Sequence, residues 1–172
     1  MVDFFEKKDI VIQNPIILAG AGWTTTKLLE EINAAGLEKN YGLVALMIGV
    51  NNQYRGIDIE VFKKEFTELF EKSITLANYN TSRVVVISIP DWSVTPFAKF
   101  KNHEKIVREI NTYNEFIKSK CDKKKVHFVD VTKPSQNMAV NKTLITSDSL
   151  HPSKKMYRVW AKRIGKKLLK TL

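Results

Sequence analysis

A single cysteine in 172 residues, Cys121, excludes an intramolecular disulfide and any metal centre built on a cysteine cluster. It ends a helical stretch beside "DKKK" and reads as an incidental thiol. No apolar run approaches the roughly 20 residues that a membrane-spanning helix needs. The opening "MVDFFEKKDI" carries acids and lysines where a secretory leader needs an unbroken apolar segment, so the expectation is a cytoplasmic chain. Repeats, linkers and low-complexity tracts are also missing. With 44% apolar residues, this predicts one domain over residues 1–172 with a sizeable core. Acids are missing from one region in particular. Residues 153–172 hold eight of the 28 Lys and Arg and no Asp or Glu, while the other 20 cations are nearly balanced by the chain's 18 acids. Met156, Val159, Trp160, Ile164 and Leu168 recur there at helical spacing, which leaves the cations on the opposite face. No aromatic-plus-basic stacking surface accompanies them, so the expectation is a solvated face and no nucleic-acid partner.

What is present is a regular alternation. "PIILAG" (15–20), "GLVALMIGV" (42–50), "RVVVISI" (83–89) and "KVHFVDV" (125–131) are short, rich in β-branched residues and mostly without polar alternation, the pattern of strands buried on both faces. Helical stretches separate them, from near Thr24 to before Gly36, from about Ile59 to Ala77, and from about Asn102 to Cys121. Phe62, Phe66, Leu69, Phe70, Ser73 and Ile74 form one stripe, and Ile106, Ile110, Tyr113 and Ile117 another. The predicted architecture is a three-layer α/β/α sandwich around a mainly parallel sheet with right-handed crossovers.

Ligands of such sheets bind beyond the carboxyl ends of the strands. The loops there are "AGAGWTTT", "GVNNQYRG", "PDWSVTPFAKF" and the long "TKPSQNMAVNKTLITSDSLHP". In the last, Pro152 suits the first turn of a helix and puts His151 at or near its N-cap, with Asp148 three residues earlier. A carboxylate on one ring nitrogen fixes the imidazole tautomer and leaves the other nitrogen to accept a proton from a hydroxyl. The same pattern also suits a plain turn former followed by a capping residue. Gly49 and Asn51 follow a buried strand directly, where glycine permits close backbone approach and an amide can donate to a developing oxyanion. The backbone N–H of Gly22 is a further candidate donor.

Together these residues resemble the SGNH, or GDSL-type, esterase and acylhydrolase family, whose four sequence blocks contribute a serine, a glycine, an asparagine and a histidine on a flavodoxin-like sandwich. The resemblance makes Gly22 in "AGAGWTT" and Asn51 in "GVNN" the oxyanion-hole donors, and Asp148 and His151 in "DSLHP" the orienting acid and the general base. Asn52 departs from the pattern, in which aspartate is common. The implied substrate is a small-molecule ester, bordered by Trp23, Tyr54 and Trp92, with neither cofactor nor metal. The family's serine follows an earlier strand, ahead of a helix inside which this sequence begins. Ser88, Ser93, Ser147 and Ser149 do not sit in a strand-to-helix elbow opposite His151. The expectation is that the nucleophile is absent: either Met1 is internal to a longer product, or the chain is catalytically silent. The family's strand order would put the missing strand between those at 15–20 and 42–50, leaving a gap or an abnormal pairing there. A rival reading is a flavodoxin-like module that binds a phosphate-bearing ligand through the glycines and threonines of "AGAGWTTT".

Overall fold

The computed structural model describes residues 2–6, 8, 10 and 15–169. Three parallel strands, β1 (Val44–Leu46), β2 (Val84–Ile87) and β3 (His127–Val129), form a sheet in the order β1-β2-β3. Val44 is in register with Val84, and Val85 with His127. The long helices are α2 (Thr25–Ala34), α4 (Ile59–Leu76), α5 (His103–Lys124) and α7 (Lys154–Leu168). Short helices α1 (Val2–Glu6), α3 (Val50–Tyr54) and α6 (Thr132–Ser135) complete the set named here. No helix among the described residues is long and apolar enough to cross a membrane.

The central strand β2 is wholly buried, and its residues alternate between two cores as the pleat requires. Val84 and Val86 join the phenylalanine stripe of α4, the isoleucine stripe of α5 and Leu28 of α2. Val85 and Ile87 face the other way, onto Met156, Trp160 and Leu168 of α7 and Phe5 of α1. Helices therefore cover both faces of the sheet.

Helix limits follow local chemistry. Thr24, Asp58, Asn102 and Ser153 are N-caps whose side chains accept from Lys27, Glu60, Lys105 and Met156 N–H groups respectively. Two expectations change. The predicted strand at 15–20 has no ladder partner and no strand geometry; Ile16 and Ile17 are 62% and 75% exposed. Among the described residues β1 pairs only with β2, and extended chain without a neighbour to share N–H and C=O groups does not become a strand. Among the described residues, residues 15–20 do not pair with β1. Second, α7 begins after Ser153, not at Pro152, because the hydroxyl of Ser153 can cap where an imidazole cannot and Pro152 instead bridges Ile145. Lys170, the last cation of the basic run, lies outside the described residues, as do residues 1, 7, 9 and 11–14 of the segment preceding "PIILAG".

Candidate active site

The loop that carries His151 is closed by backbone bonds at its base. Ser153 N–H donates to the Leu144 carbonyl at 2.8 Å and Thr146 N–H to the His151 carbonyl at 2.9 Å. Asp148 sits at the hub of this loop. Its Oδ1 accepts from the Thr146 hydroxyl at 2.6 Å and from the Leu150 and His151 N–H groups at 2.9 Å each, while Oδ2 lies 2.6 Å from Nδ1 of His151. The Thr146 hydroxyl first, then the two backbone amides and the imidazole, hold the Asp148 carboxyl well below the usual carboxylate range. An ionised Asp148 favours the tautomer with the proton on Nδ1, leaving Nε2 as an acceptor. The imidazole is 66% exposed, and no hydroxyl among the described residues hydrogen-bonds Nε2.

At the end of β1, Gly49 caps α3 with φ +118°, and a Cβ there would lie 2.7 Å from the Phe62 ring. Only glycine fits, and this close approach of the backbone to the core sets the direction of α3. Asn51, its second residue, donates from Nδ2 to the Trp23 carbonyl at 2.9 Å. The following Asn52 is fully buried: Oδ1 accepts from Thr25 N–H at 3.0 Å and Nδ2 donates to the Thr25 hydroxyl at 2.6 Å, which clamps the start of α2. Gly22 has φ +75°, and its carbonyl accepts from Arg55 at 2.8 Å. Its N–H makes no hydrogen bond among the described residues.

Aromatic rings connect the asparagine loop to the histidine loop. Tyr54, at the end of α3, lies edge-on to Trp92 with centroids 5.5 Å apart and 6.2 Å from Phe97, whose N–H donates to the Ser149 carbonyl at 3.1 Å. Trp92 is only 7% exposed and its Nε1 donates to Gln53 at 2.7 Å, so its ring supports Tyr54 and Phe97 instead of forming surface itself. The Trp23 indole packs against Gly20, where a Cβ would lie 2.1 Å from its Nε1. It borders an apolar slot of about 190 Å³ formed with Leu18, Met47, Ile48 and Asn51.

The sequence profile of the GDSL-like lipase/acylhydrolase family matches residues 5–159. The chain belongs to this family. Similar solved structures include an acetyl xylan esterase (TM-score 0.69, 19% identity, covering 99% of this chain and 87% of that one). A GDSL-like lipase from Bacteroides thetaiotaomicron (0.64, 20%, 99% and 80%) and a psychrotrophic esterase from Pseudoalteromonas sp. (0.64, 18%, 98% and 82%) show the same fold. No curated protein sequence matches.

Within this GDSL-family chain, Thr24–Thr26 argue against the phosphate-binding alternative. Thr24 caps α2, and the hydroxyls of Thr25 and Thr26 donate to the Glu65 carboxylate, whose charge opposes an incoming anion. Sequence reasoning passed over two supporting residues. Thr146 was legible as the first position of a short polar turn, T-S-D, whose hydroxyl can reach the aspartate two residues on. Gln53 had no such signal, because its partners Trp92 and Glu109 are distant in sequence.

Proposed function

We propose that this GDSL-family chain carries the acid–base and oxyanion parts of a serine-type carboxylic ester hydrolase. His151 is the general base through Nε2, Asp148 orients and charges it, and the N–H of Gly22 with the second amide hydrogen of Asn51 binds the oxyanion. Trp23 and Tyr54 border the ester, with Trp92 behind Tyr54. The serine itself enters on a strand laid beside β1, next to the slot bordered by Leu18, Met47 and Asn51. The observation that carries this reading is the Asp148 carboxylate, anchored by three donors and 2.6 Å from Nδ1 of an imidazole whose other nitrogen is unengaged among the described residues. The edge of β1 that pairs with no strand among the described residues, and the apolar slot beside it, support the entry of such a strand.

The step balances in the usual way. The serine hydroxyl gives its proton to Nε2 as its oxygen attacks the ester carbonyl; the tetrahedral oxyanion meets the amide donors; the protonated imidazole returns the proton to the leaving alcohol. Water then repeats the sequence on the acyl-enzyme. The 172-residue chain should resist fluorophosphonate labelling, whereas a version extended at its N-terminus with a strand and a Gly-Asp-Ser turn should label stoichiometrically and hydrolyse p-nitrophenyl acetate. In the extended protein His151→Ala should abolish labelling, Asn51→Ala should lower turnover by about 10²–10³-fold, and Asp148→Asn by about 10⁴-fold. A folded extended protein that neither labels nor turns over, or labelling indifferent to His151, would refute the assignment.

A further inference from the structure

The outer face of α7 presents two adjacent rows of side chains, Lys154–Arg158–Lys162–Lys166 and Lys155–Val159–Arg163–Lys167. Seven of these eight positions are cationic, all seven are exposed, and no acid occurs in the helix. Each row repeats every four residues, so its charges recur about 6 Å apart over about 18 Å. Elsewhere the helices pair several of their lysines with acids, Lys27 with Glu31, Lys63 with Glu60, Lys72 with Glu68, Lys105 with Glu109 and Lys118 with Asp122. Among the described residues no cation of α7 has an acidic partner. Two are held by neutral groups, Lys155 by the Thr143 hydroxyl at 3.1 Å and Arg163 by the Asp130 carbonyl at 3.1 Å. Exposed Lys133 and Lys142 belong to the preceding loop, whose only carboxylates, Asp130 and Asp148, are bonded to their own turns.

The ridge starts three residues after His151, at the end of α7 that adjoins the loop carrying the proposed base. We infer that it docks a linear polyanion whose ester groups are the substrate, and that this polyanion is an acidic polysaccharide. The inference rests on the ester-hydrolase reading for its substrate, because an acidic sugar chain carries on each residue both a carboxylate for the ridge and hydroxyls able to bear acyl groups. Nucleic acid fits less well: the ridge lacks an aromatic platform for bases, Tyr157 being packed edge-on against Trp160 at its flank. An anionic bilayer also fits less well, since Val159 is the single apolar side chain on the ridge and the apolar face of α7 is buried in the core.

Binding of fluorescently labelled polygalacturonate oligomers to the full chain tests this without reading any chemistry, so its failure leaves the hydrolase assignment standing. The association constant should fall about 50-fold between about 50 and 200 mM salt if four cations engage, taking the slope for single-stranded polyanions. The triple variant Lys154→Glu, Arg158→Glu, Lys162→Glu should lose at least tenfold in affinity with an unchanged unfolding midpoint, whereas Lys64→Glu on α4 should bind as the parent does. Neutral xylan oligomers should not bind. Absent or salt-insensitive polygalacturonate binding, retention by the triple variant, or tighter binding to a DNA oligonucleotide or to phosphatidylglycerol vesicles would overturn the proposal.

Discussion

Replacing Asn52 by aspartate inserts the residue common at this position in the family, and it should destabilise this chain. The Thr25 hydroxyl has one hydrogen, which it donates to Glu65, so it meets Asn52 as an acceptor of the Nδ2 hydrogen. Aspartate has no hydrogen to offer there when ionised, and two carboxylates would compete for one hydroxyl. The bond lengths of 2.6 and 2.5 Å on either side of that oxygen hold the facing carboxylate oxygens within about 5 Å of each other. At an effective dielectric of about 20 two unit charges at that distance repel by about 3 kcal/mol, and the lost buried hydrogen bond adds about 1 kcal/mol. Partial exposure of Glu65 moderates the first figure, so Asn52→Asp should cost about 3 kcal/mol at neutral pH.

Glu65→Gln in the same chain should return about 2 kcal/mol of this, because the glutamine amide can donate to the Thr25 oxygen while its hydroxyl turns to the new carboxylate; a double-mutant cycle in urea, followed by tryptophan fluorescence, measures the coupling. Repulsion raises the new carboxyl's folded-state pKa above its unfolded value of about 3.9. The variant's deficit is then complete above the folded pKa and shrinks as pH falls through it. A variant within about 0.5 kcal/mol of the parent, or a Glu65→Gln change that recovers nothing, would refute the hydrogen-bond directions assigned at the start of α2.

Gly49→Ala forces φ +118° on a side chain and drives a Cβ to 2.7 Å from the Phe62 ring and 3.0 Å from Ile89. Strain and overpacking of about 1–3 kcal/mol each predict a loss of about 2–6 kcal/mol in chemical denaturation, and a loss under about 1 kcal/mol would contradict the close approach. Cys121 is fully buried, and burial, followed by the nearby Asp122 charge, pushes its thiol up to about 12. It should ignore iodoacetamide at mildly alkaline pH in the native protein and react once the chain is unfolded; alkylation at equal rates in both states would show that the α5 core opens readily.

Much of this molecule was legible in local pattern. The stripes of α4 and α5 emerged where 3.6-residue periodicity placed them, and Thr24 and Asn102 ended up as caps because a short polar side chain can satisfy a free amide within its own turn. The bond between Asp148 and His151 spans three residues and closes within one loop, so D-x-x-H predicted it without a fold. Family membership was legible for the same reason: each motif is a short local run that needs no distant partner to be recognised.

Tertiary structure decided whatever depends on a second segment. "PIILAG" has the composition of a buried strand, yet a strand exists only when a neighbour takes its hydrogen bonds, and β1 has no such partner on that side among the described residues. Trp92 read as a surface for substrate until Gln53 and Tyr54 enclosed it, and Asn52 read as a departure from a motif until Thr25 and Glu65 made it the residue their hydrogen bonds require. Composition specifies which groups seek burial or a partner; the partner's identity is set by packing between segments far apart in the chain, and at β1, Trp92 and Asn52 that packing gives each residue its role.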